Sequence, residues 1–369
     1  MDKKIGVITM HKVLNYGSAL QTYALQTVLE NMGNKVQIID YIYPNEYHKQ
    51  YMPISKLRQC IHVISDLVKG RPYSKKVKFF NEFYKKYFKL TKTYYTKEEL
   101  EQDPPECDVY MTGSDQVWNP NSIHEDTSFM LSFTDSPNKV AFSASFAKTI
   151  VPEKYKELYA SELRKYKKIY MREKKGCELL KELTGVDSEV VLDPTLLLDK
   201  NKWIEFSKES KIKVKCPYIL VYVLGYSFNV YPYVYELIKY VHRKTGLELV
   251  ILNMNNKYAY KLTDKKIVKD ADVFDFVKLF SDASLVITDS FHGTAFSLNL
   301  NTPFYSVVNE DDRADSRIVD LLTMAGEHER IVRKGSDYTK IPFSMTPPKI
   351  DVIERLRADS INKLEELIK

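Results

Sequence analysis

Residues 284–298, Ser-Leu-Val-Ile-Thr-Asp-Ser-Phe-His-Gly-Thr-Ala-Phe-Ser-Leu, are the stretch that most narrows the fold of this chain. The apolar, partly β-branched residues 285–287 predict a buried strand, and residues 293–298 predict the helix that follows it. The polar residues between them are of the N-cap type, so His292 should lie at a strand-to-helix turn. Backbone N–H groups and the helix dipole favour an anion there, and an imidazole can move a proton. A histidine that only caps the turn is the structural alternative.

Strand and helix patterns alternate along the whole chain, which predicts doubly wound parallel sheets. The first unit of this kind has a strand at residues 4–10, a helix at 18–32 and a second strand at 35–40. A loop that follows the first strand lies where ligands of such sheets bind. The loop lacks the three spaced glycines of a dinucleotide site, so NAD binding is not expected.

A charged stretch without apolar periodicity, residues 208–217, predicts a domain boundary, and a second series of strands and helices begins after it. We therefore expect an α/β fold with two Rossmann-like domains that face a cleft, residues 1–210 and 211–345. By analogy with other two-domain enzymes, the C-terminal helix at residues 350–369 should pack back on the N-terminal domain.

Polar loops follow three predicted strands of the first half, and His292 follows a strand of the second. In the first half they are residues 15–18, residues 113–119 and Arg172. Asp115, with the polar side chains around it, suits a site that binds a hydroxyl group, whereas a helix cap at Ser114 or Asp115 is the structural alternative. The candidate cleft-loop residues are Asn15, Gly17, Ser18, Gly113, Ser114, Gln116, Trp118 and Asn119.

Residues 51–90 predict two helical pieces, broken near residues 70–72, within a helical insertion at about residues 51–100. The second piece has aromatic residues at helical spacing and lysines at the other positions. An amphipathic helix that packs on its own domain explains this pattern. A basic surface that contacts an anionic membrane or a lipid-phosphate acceptor is the other interpretation.

Composition narrows the class of protein. The chain has 369 residues and a net charge of +6, a balance that suits anionic ligands without requiring nucleic acid. The four cysteines are far apart and form neither a metal motif nor a disulfide framework. The N-terminus runs directly into a strand, and no apolar run has the length of a membrane span. We expect a cytoplasmic protein, or one at the inner face of the membrane if the basic segment binds lipid.

Three blocks of the chain, taken in order, resemble the polysaccharide pyruvyl transferase family. They are Asn-Tyr-Gly-Ser-Ala-Leu-Gln-Thr-Tyr-Ala-Leu from residue 15, Gly-Ser-Asp-Gln-Val-Trp-Asn from residue 113 and Thr-Asp-Ser-Phe-His-Gly-Thr-Ala-Phe-Ser from residue 288. The resemblance implies the two-Rossmann-domain (GT-B type) architecture of glycosyltransferases. It also implies transfer of the enolpyruvyl carbons of phosphoenolpyruvate to sugar hydroxyls, usually as a cyclic ketal, in the biosynthesis of exopolysaccharide and other bacterial surface polysaccharides.

The resemblance also implies roles for individual residues. His292 matches the family histidine and would be the general acid, while Asp115 could orient or deprotonate the acceptor hydroxyl. Ser290-Phe291-His292 stands where many members have Arg-X-His. The acceptor would be a sugar or a lipid-linked oligosaccharide, and phosphoenolpyruvate would be the co-substrate, with neither cofactor nor metal. The donor-binding candidates are Arg172, Arg317 (with Arg313 as the fallback), Ser290, Phe291 and Gly293.

Two other functions remain open. One is a nucleotide-sugar-dependent glycosyltransferase of the same architecture, in which residues 284–298 would hold a diphosphate. The other is a non-catalytic protein that binds a glycan or a phosphate, which the departure from Arg-X-His keeps open.

Overall fold

The computed structural model describes residues 2–42, 73–215, 217–311, 316–341 and 343–369 of the chain. These residues form two compact units. The first unit consists of Met1–Leu197 together with Asp359–Lys369, and the second of Leu198–Ala358. Each unit is built around its own parallel sheet.

The described part of the first unit contains a seven-stranded sheet in which every pairing of neighbouring strands is parallel. Its central strands are buried on both faces, which explains their nearly continuous apolar sequences. The strands are β1 (Lys4–Ile8), β2 (Lys35–Tyr41), β3 (Leu90–Tyr94), β4 (Val109–Thr112), β5 (Lys139–Ala144), β6 (Lys168–Met171) and β7 (Glu189–Val190).

The strands of the first unit follow the order β3-β2-β1-β4-β5-β6-β7. This is the doubly wound Rossmann order, in which the direction of winding reverses between β1 and β4. Ligands of such sheets bind outside the carboxyl ends of the strands at that reversal. The helices of this unit are α1 (Tyr16–Asn31), α2 (Tyr73–Tyr87), α3 (Lys97–Gln102), α4 (Pro120–Ile123), α5 (Glu153–Leu163) and α6 (Lys174–Thr184).

The predicted helical insertion at residues 51–100 is wrong for its last part. Strand β3 lies there and pairs in parallel with β2, and helix α2 precedes it along the chain. The sequence Leu-Thr-Lys-Thr-Tyr of β3 is mostly polar because the strand forms the edge of the sheet. Phe80 and Tyr84 of α2 are buried, as expected of an amphipathic helix that packs on its own domain. The predicted helix at residues 51–72 lies outside the described residues.

The second unit repeats the arrangement of the first. Its strands follow the order β10-β9-β8-β11-β12-β13, again with parallel pairing of neighbours, so the winding reverses between β8 and β11. The strands are β8 (Tyr218–Tyr222), β9 (Glu248–Asn253), β10 (Lys265–Ile267), β11 (Leu285–Thr288), β12 (Phe304–Val308) and β13 (Ile331–Arg333). The helices are α7 (Lys200–Ser207), α8 (Tyr233–Thr245), α9 (Asn256–Ala259), α10 (Val273–Asp282), α11 (Phe291–Asn299), α12 (Ser316–Ala325) and α13 (Asp351–Ile368).

The division between the units falls between Leu197 and Leu198, whereas the sequence predicts it near residue 210. Helix α7 precedes the charged stretch and belongs to the second unit. Its Trp203 is fully buried, and the indole ring lies edge-on to Phe296 of α11, with ring centroids 4.9 Å apart. Aromatic packing therefore sets the boundary, and the charged stretch after α7 lies within the second unit.

The C-terminal helix α13 begins in the second unit, and its residues from Asp359 onward group with the first. Ser360 of α13 accepts a hydrogen bond from the Leu192 backbone N–H at 3.0 Å, and Lys363 pairs with Glu189 at 3.0 Å. These contacts attach the end of the helix to the strand that closes the first sheet. None of the described helices combines the length and the apolar character that crossing a membrane requires.

A buried carboxylate, Asp40, connects the carboxyl ends of β1, β2 and β3. Its two oxygens contact His11 Nε2 at 2.8 Å, Lys12 Nζ at 2.6 Å and Thr93 Oγ1 at 2.6 Å. Burial by itself would raise the pKa of Asp40, but the hydrogen bonds and charges of His11 and Lys12 outweigh it and lower the pKa to about 2. The ionised carboxylate therefore stabilises this edge of the sheet.

Replacement of Asp40 by Asn should lower the free energy of unfolding by about 2 kcal/mol at neutral pH, the equivalent of the lowered pKa. Because the folded-state pKa lies below the unfolded value, this stabilisation is present above about pH 4 and is lost as the pH falls toward about 2. The difference between wild type and Asp40→Asn should shrink over the same interval in urea denaturation. Asp103→Asn is the control, because the side chain of Asp103 is 73% exposed in a surface pair with Lys92. A difference that does not change with pH would contradict the prediction.

Candidate active site

The residues after β11 form the turn at which the second sheet reverses its winding. Asp289 and Ser290 connect β11 to α11, and Ser290 is the N-cap, whose hydroxyl accepts a hydrogen bond from Gly293 N at 3.3 Å. The helix begins at Phe291, two residues before the predicted start at residue 293. His292 therefore lies in the first turn of α11, close to the helix N-terminus, as the sequence predicts. Such a turn directs backbone N–H groups and the positive end of the helix dipole outward.

Asp289 connects this turn to the end of the neighbouring strand. Its two carboxylate oxygens accept hydrogen bonds from Leu224 N and Gly225 N, each at 2.7 Å. Gly225 has a φ of +64°, a backbone conformation that favours glycine. The sequence predicts no role for Asp289 beyond N-cap character. No local signal could pair it with residues 224 and 225, because the interaction depends on the pairing of β8 with β11.

Gly293 allows α11 to start directly against the sheet. A Cβ atom at this position would lie 2.4 Å from Thr288 Oγ1, far inside van der Waals contact. That hydroxyl cannot easily move, because it donates to Tyr222 O at 2.7 Å and accepts from Ser290 N at 3.0 Å. Glycine is therefore required by packing, and its absence of a side chain sets the position of the helix N-terminus.

The side chains of Phe291 and His292 are both largely buried, each with 8% of the residue exposed. Their rings meet edge-on, with centroids 5.3 Å apart. The imidazole is thus held in a restricted volume at the N-terminus of a buried helix. An anion bound at this N-terminus would lie beside a group that can donate or accept a proton.

Arg317 is the second residue of α12 and is half-buried. Helix α12 follows β12, which lies next to β11 in the sheet. Helices α11 and α12 therefore both begin on the side of the sheet where the strands have their carboxyl ends. A cation there is chemically suited to an anion at the start of α11. The fallback candidate, Arg313, lies outside the described residues.

In the first unit, the corresponding polar residues follow β4. Asp115 is buried, and its carboxylate accepts hydrogen bonds from the Ser18 hydroxyl and from Gln116 N, the latter at 2.8 Å. Its φ of +77° is rare for a residue other than glycine, and Asp115 forms an isolated bridge with Ala144. The backbone thus brings the carboxylate toward α1 at the strand ends of the sheet.

Arg172 lies deep in the same network rather than at its surface. Its side chain is 1% exposed, and Nη1 lies 3.1 Å from Asp193 Oδ2. Ser114 donates to the same oxygen of Asp193 at 2.8 Å, and Asp115 Oδ1 lies 3.9 Å from Arg172 Nη2. The guanidinium therefore holds the loop of Ser114 and Asp115 in place. The sequence does not predict this role for Asp193.

The other cleft-loop candidates have mainly structural contacts. Asn15 caps α1 by accepting from Gly17 N at 2.9 Å, and Trp118 is fully buried, with Nε1 donating to Phe129 O at 3.0 Å. The alternative that Ser114 or Asp115 caps a helix is wrong, because the cap of α4 is Asn119. Asn119 also donates to the Gln116 side chain at 2.9 Å. A Cβ at Gly113 would be 3.1 Å from the Thr9 side chain, so tight packing favours glycine there.

In the part of the chain that the structure describes, no cluster of three or more His, Cys, Asp or Glu side chains is arranged to hold a metal ion. The described strand ends carry an imidazole, carboxylates, guanidinium groups and a helix N-terminus.

The Gly293→Ala variant should be destabilised by about 1–3 kcal/mol, because the added methyl group overlaps Thr288 Oγ1. Urea denaturation followed by circular dichroism measures this change. The Thr288→Ala, Gly293→Ala double variant should be less destabilised than the sum of the two single variants, since it lacks the overlapping oxygen. Additive losses in this double-mutant cycle would show that the contact does not constrain the helix start.

The family model for polysaccharide pyruvyl transferases matches residues 15–311, which include Asp115, Arg172 and His292 but not Arg317. No curated protein sequence matches this chain.

Solved structures show the same fold at low sequence identity. The UDP-GlcNAc 2-epimerase of Methanocaldococcus jannaschii, in complex with UDP-GlcNAc and UDP, has a TM-score of 0.55 and 12% identity over 98% of this chain and 99% of that chain. The UDP-GlcNAc 2-epimerase of Neisseria meningitidis bound to UDP-GlcNAc has a TM-score of 0.52 and 10% identity over 98% of this chain and 100% of that one. These similarities confirm the predicted α/β fold of the GT-B type, with two parallel sheets flanked by helices. Because the family match covers well over half of its 369 residues, this chain belongs to the polysaccharide pyruvyl transferase family and is a transferase.

Proposed function

We propose that this chain transfers the pyruvyl group of phosphoenolpyruvate to two hydroxyls of a sugar, forming a cyclic ketal in the biosynthesis of a surface polysaccharide. The observation that carries the proposal is the location of His292 in the first turn of α11, at the strand ends where the second sheet reverses its winding. Membership of the pyruvyl transferase family supports the reaction type.

The second unit is suited to the donor. Phosphoenolpyruvate carries a carboxylate and a phosphate, and the N-terminus of a helix attracts such groups through its N–H groups and dipole. In place of the arginine of Arg-X-His, this chain has Ser290, whose hydroxyl caps the helix. We assign the role of the missing guanidinium to Arg317, the second residue of α12, whose helix follows the strand next to β11. A guanidinium binds an oxyanion through two hydrogen bonds.

His292 would act as the general acid. In the first step a proton from the imidazole goes to the methylene carbon of the donor, and a sugar hydroxyl forms a bond to the adjacent carbon while losing its own proton. In the second step the other hydroxyl attacks the same carbon, the bond between that carbon and the phosphate oxygen breaks, and the proton of this hydroxyl leaves with the phosphate, so that inorganic phosphate is released. Proton transfer by a positioned histidine is the principal chemical contribution that this scheme asks of the protein.

Asp115 of the first unit would orient or deprotonate an acceptor hydroxyl. Its carboxylate is kept close to Ser18 and to the Arg172 guanidinium, so its direction is fixed. Arg172 itself is paired with Asp193, and a donor anion would have to compete with that carboxylate. We therefore assign Arg172 the positioning of Ser114 and Asp115 rather than the direct donor contact that the resemblance implies.

A lipid-linked oligosaccharide as acceptor, and membrane contact through residues 51–90, stay predictions. The nucleotide-sugar alternative has no specific support, because similarity to the epimerases at 10–12% identity concerns the fold alone.

The first test is thermal stability of the purified protein with phosphoenolpyruvate and, separately, with uridine diphosphate. Phosphoenolpyruvate alone should raise the Tm.

In an assay of phosphate release with a panel of oligosaccharide acceptors, His292→Ala should lower turnover by about 100-fold or more, because the general acid is removed. The control is His328→Ala, which changes an exposed histidine of the same unit. Full activity of His292→Ala would end the proposal for His292, and a response to uridine diphosphate alone would favour the glycosyltransferase alternative.

The Asp115→Asn variant should fold but lose turnover by about 100-fold, since the amide cannot accept the acceptor proton. Asp126→Asn is the matched control in the same unit. It alters another carboxylate that accepts hydrogen bonds, from the Tyr41 hydroxyl and from Ser128 N at 2.9 Å. Circular dichroism checks folding of both variants. Normal phosphate release by folded Asp115→Asn would restrict Asp115 to a structural role.

A further inference from the structure

The second unit contains a pocket of about 540 Å³ beside the carboxyl ends of β8 and β9. Its volume lies within the range of roughly 300–1,000 Å³ that is usual for small-ligand sites. The aromatic residues Tyr226, Phe228 and Tyr231 line it, together with three asparagines. No lining residue carries a charged side chain, which distinguishes this pocket from the strand-end turn that holds His292.

The aromatic wall is held firmly on one side. The Tyr231 ring stacks on Tyr258 with centroids 4.6 Å apart and planes 9° apart, and its hydroxyl accepts a hydrogen bond from Asn255 N at 2.8 Å. Tyr226, by contrast, is 76% exposed at the pocket. Flat rings of this kind offer contact area to the apolar C–H face of another ring at a low cost in conformational entropy.

The amide groups supply hydrogen bonds in fixed directions. Asn229 Oδ1 accepts from Tyr231 N at 3.2 Å, and Asn255 Oδ1 caps α9 by accepting from Lys257 N at 2.9 Å. With their oxygens held by the backbone, these side chains are oriented, and their NH₂ groups are donors suited to hydroxyl oxygens. Asn253, at the end of β9, adds a third amide.

The pocket is connected to the candidate active-site turn. Leu224 and Gly225 form part of its wall, and their backbone N–H groups are the ones that Asp289 binds at 2.7 Å. Asp289 lies three residues before His292. One carboxylate thus fixes both the wall of the pocket and the turn that holds the imidazole, so a ligand in the pocket would lie next to that turn.

We propose that this pocket binds a neutral pyranose ring of the acceptor glycan, a ring other than the one that receives the pyruvyl group; the inference rests on the proposed function. Aromatic faces and amides recognise the C–H faces and hydroxyls of a neutral sugar. A diphosphate would require cations or the N-terminus of a longer helix. The lining supplies neither a lysine nor an arginine, and α9, the helix that Asn255 caps, has only four residues. The pocket would therefore select acceptors by the sugar next to the reaction point.

Saturation-transfer NMR of the full-length protein tests the proposal with a panel of neutral di- and trisaccharides of hexose and N-acetylhexosamine, and with uridine diphosphate for comparison. At least one neutral glycan should show transfer to its ring protons. For that glycan, Tyr226→Ala should raise the Kd about 10-fold, the equivalent of one lost aromatic contact. The matched control is Tyr260→Ala, which removes a tyrosine of the same unit that is 58% exposed and outside the pocket, and it should leave the Kd unchanged.

The same samples separate this inference from the proposed function. The rise in Tm with phosphoenolpyruvate should be equal in wild type and Tyr226→Ala, because the pocket does not hold the donor. A protein that responds to phosphoenolpyruvate but binds no neutral glycan, or binds it equally well after Tyr226→Ala, overturns the pocket assignment and leaves the proposed function standing. Glycan binding that depends on Tyr226, without any response to phosphoenolpyruvate, supports the pocket and contradicts the donor. Uridine diphosphate binding that depends on Tyr226 overturns the inference in favour of a nucleotide site.

Discussion

The pair of hydrogen bonds that Asp289 accepts from Leu224 N and Gly225 N is the constraint on which the second unit's candidate site depends. A parallel sheet leaves the ends of its strands without ladder partners, and at the reversal of winding the chains leave β8 and β11 in different directions. A carboxylate that binds two consecutive N–H groups joins those ends. Hydrogen bonds to a charged group each contribute about 1.5–3 kcal/mol. The position of α11, and with it His292, follows from this junction and from the absence of a side chain at Gly293.

In the first unit, a buried cation holds together the residues that follow the strands. Arg172 has 1% of its side chain exposed and is held by Asp193, with Asp115 and Glu173 close by. Removing one partner of such a buried group costs about 3–5 kcal/mol, because the other charge stays desolvated. The cluster therefore has a strongly preferred arrangement. It keeps Asp115 in a backbone conformation that few residues other than glycine adopt, and such strain persists only where surrounding contacts determine it.

Much of the fold could be predicted from the sequence, because parallel strands buried on both faces give continuous apolar runs separated by helical periods. Strands β2 and β11 and helix α13 lie within one residue of their predicted bounds. Strand β3 was missed because an edge strand needs few apolar residues. The position of His292 was predictable from local cap chemistry, whereas the roles of Asp193 and Asp289 were not. Each acts on residues distant in sequence, such as residues 224 and 225 for Asp289, and no pattern within a single element records which strands become neighbours.

The burial of Arg172 also shows that a sequence motif can identify a residue without establishing what that residue does. An arginine at a strand end is suited to binding an anion in any sheet of this type. The family resemblance alone would therefore make Arg172 a donor-binding residue. Its pairing with Asp193, together with the hydroxyl of Ser114 on the same carboxylate oxygen, gives the guanidinium a partner inside the chain. An external anion would gain only the difference between its own interaction with Arg172 and that of Asp193. At the N-terminus of α11 the cap is the neutral hydroxyl of Ser290, and the carboxylate of Asp289 beside it binds Leu224 N and Gly225 N. We therefore propose that the donor anion binds in the second unit and that the carboxylate-rich strand ends of the first unit bind hydroxyl groups.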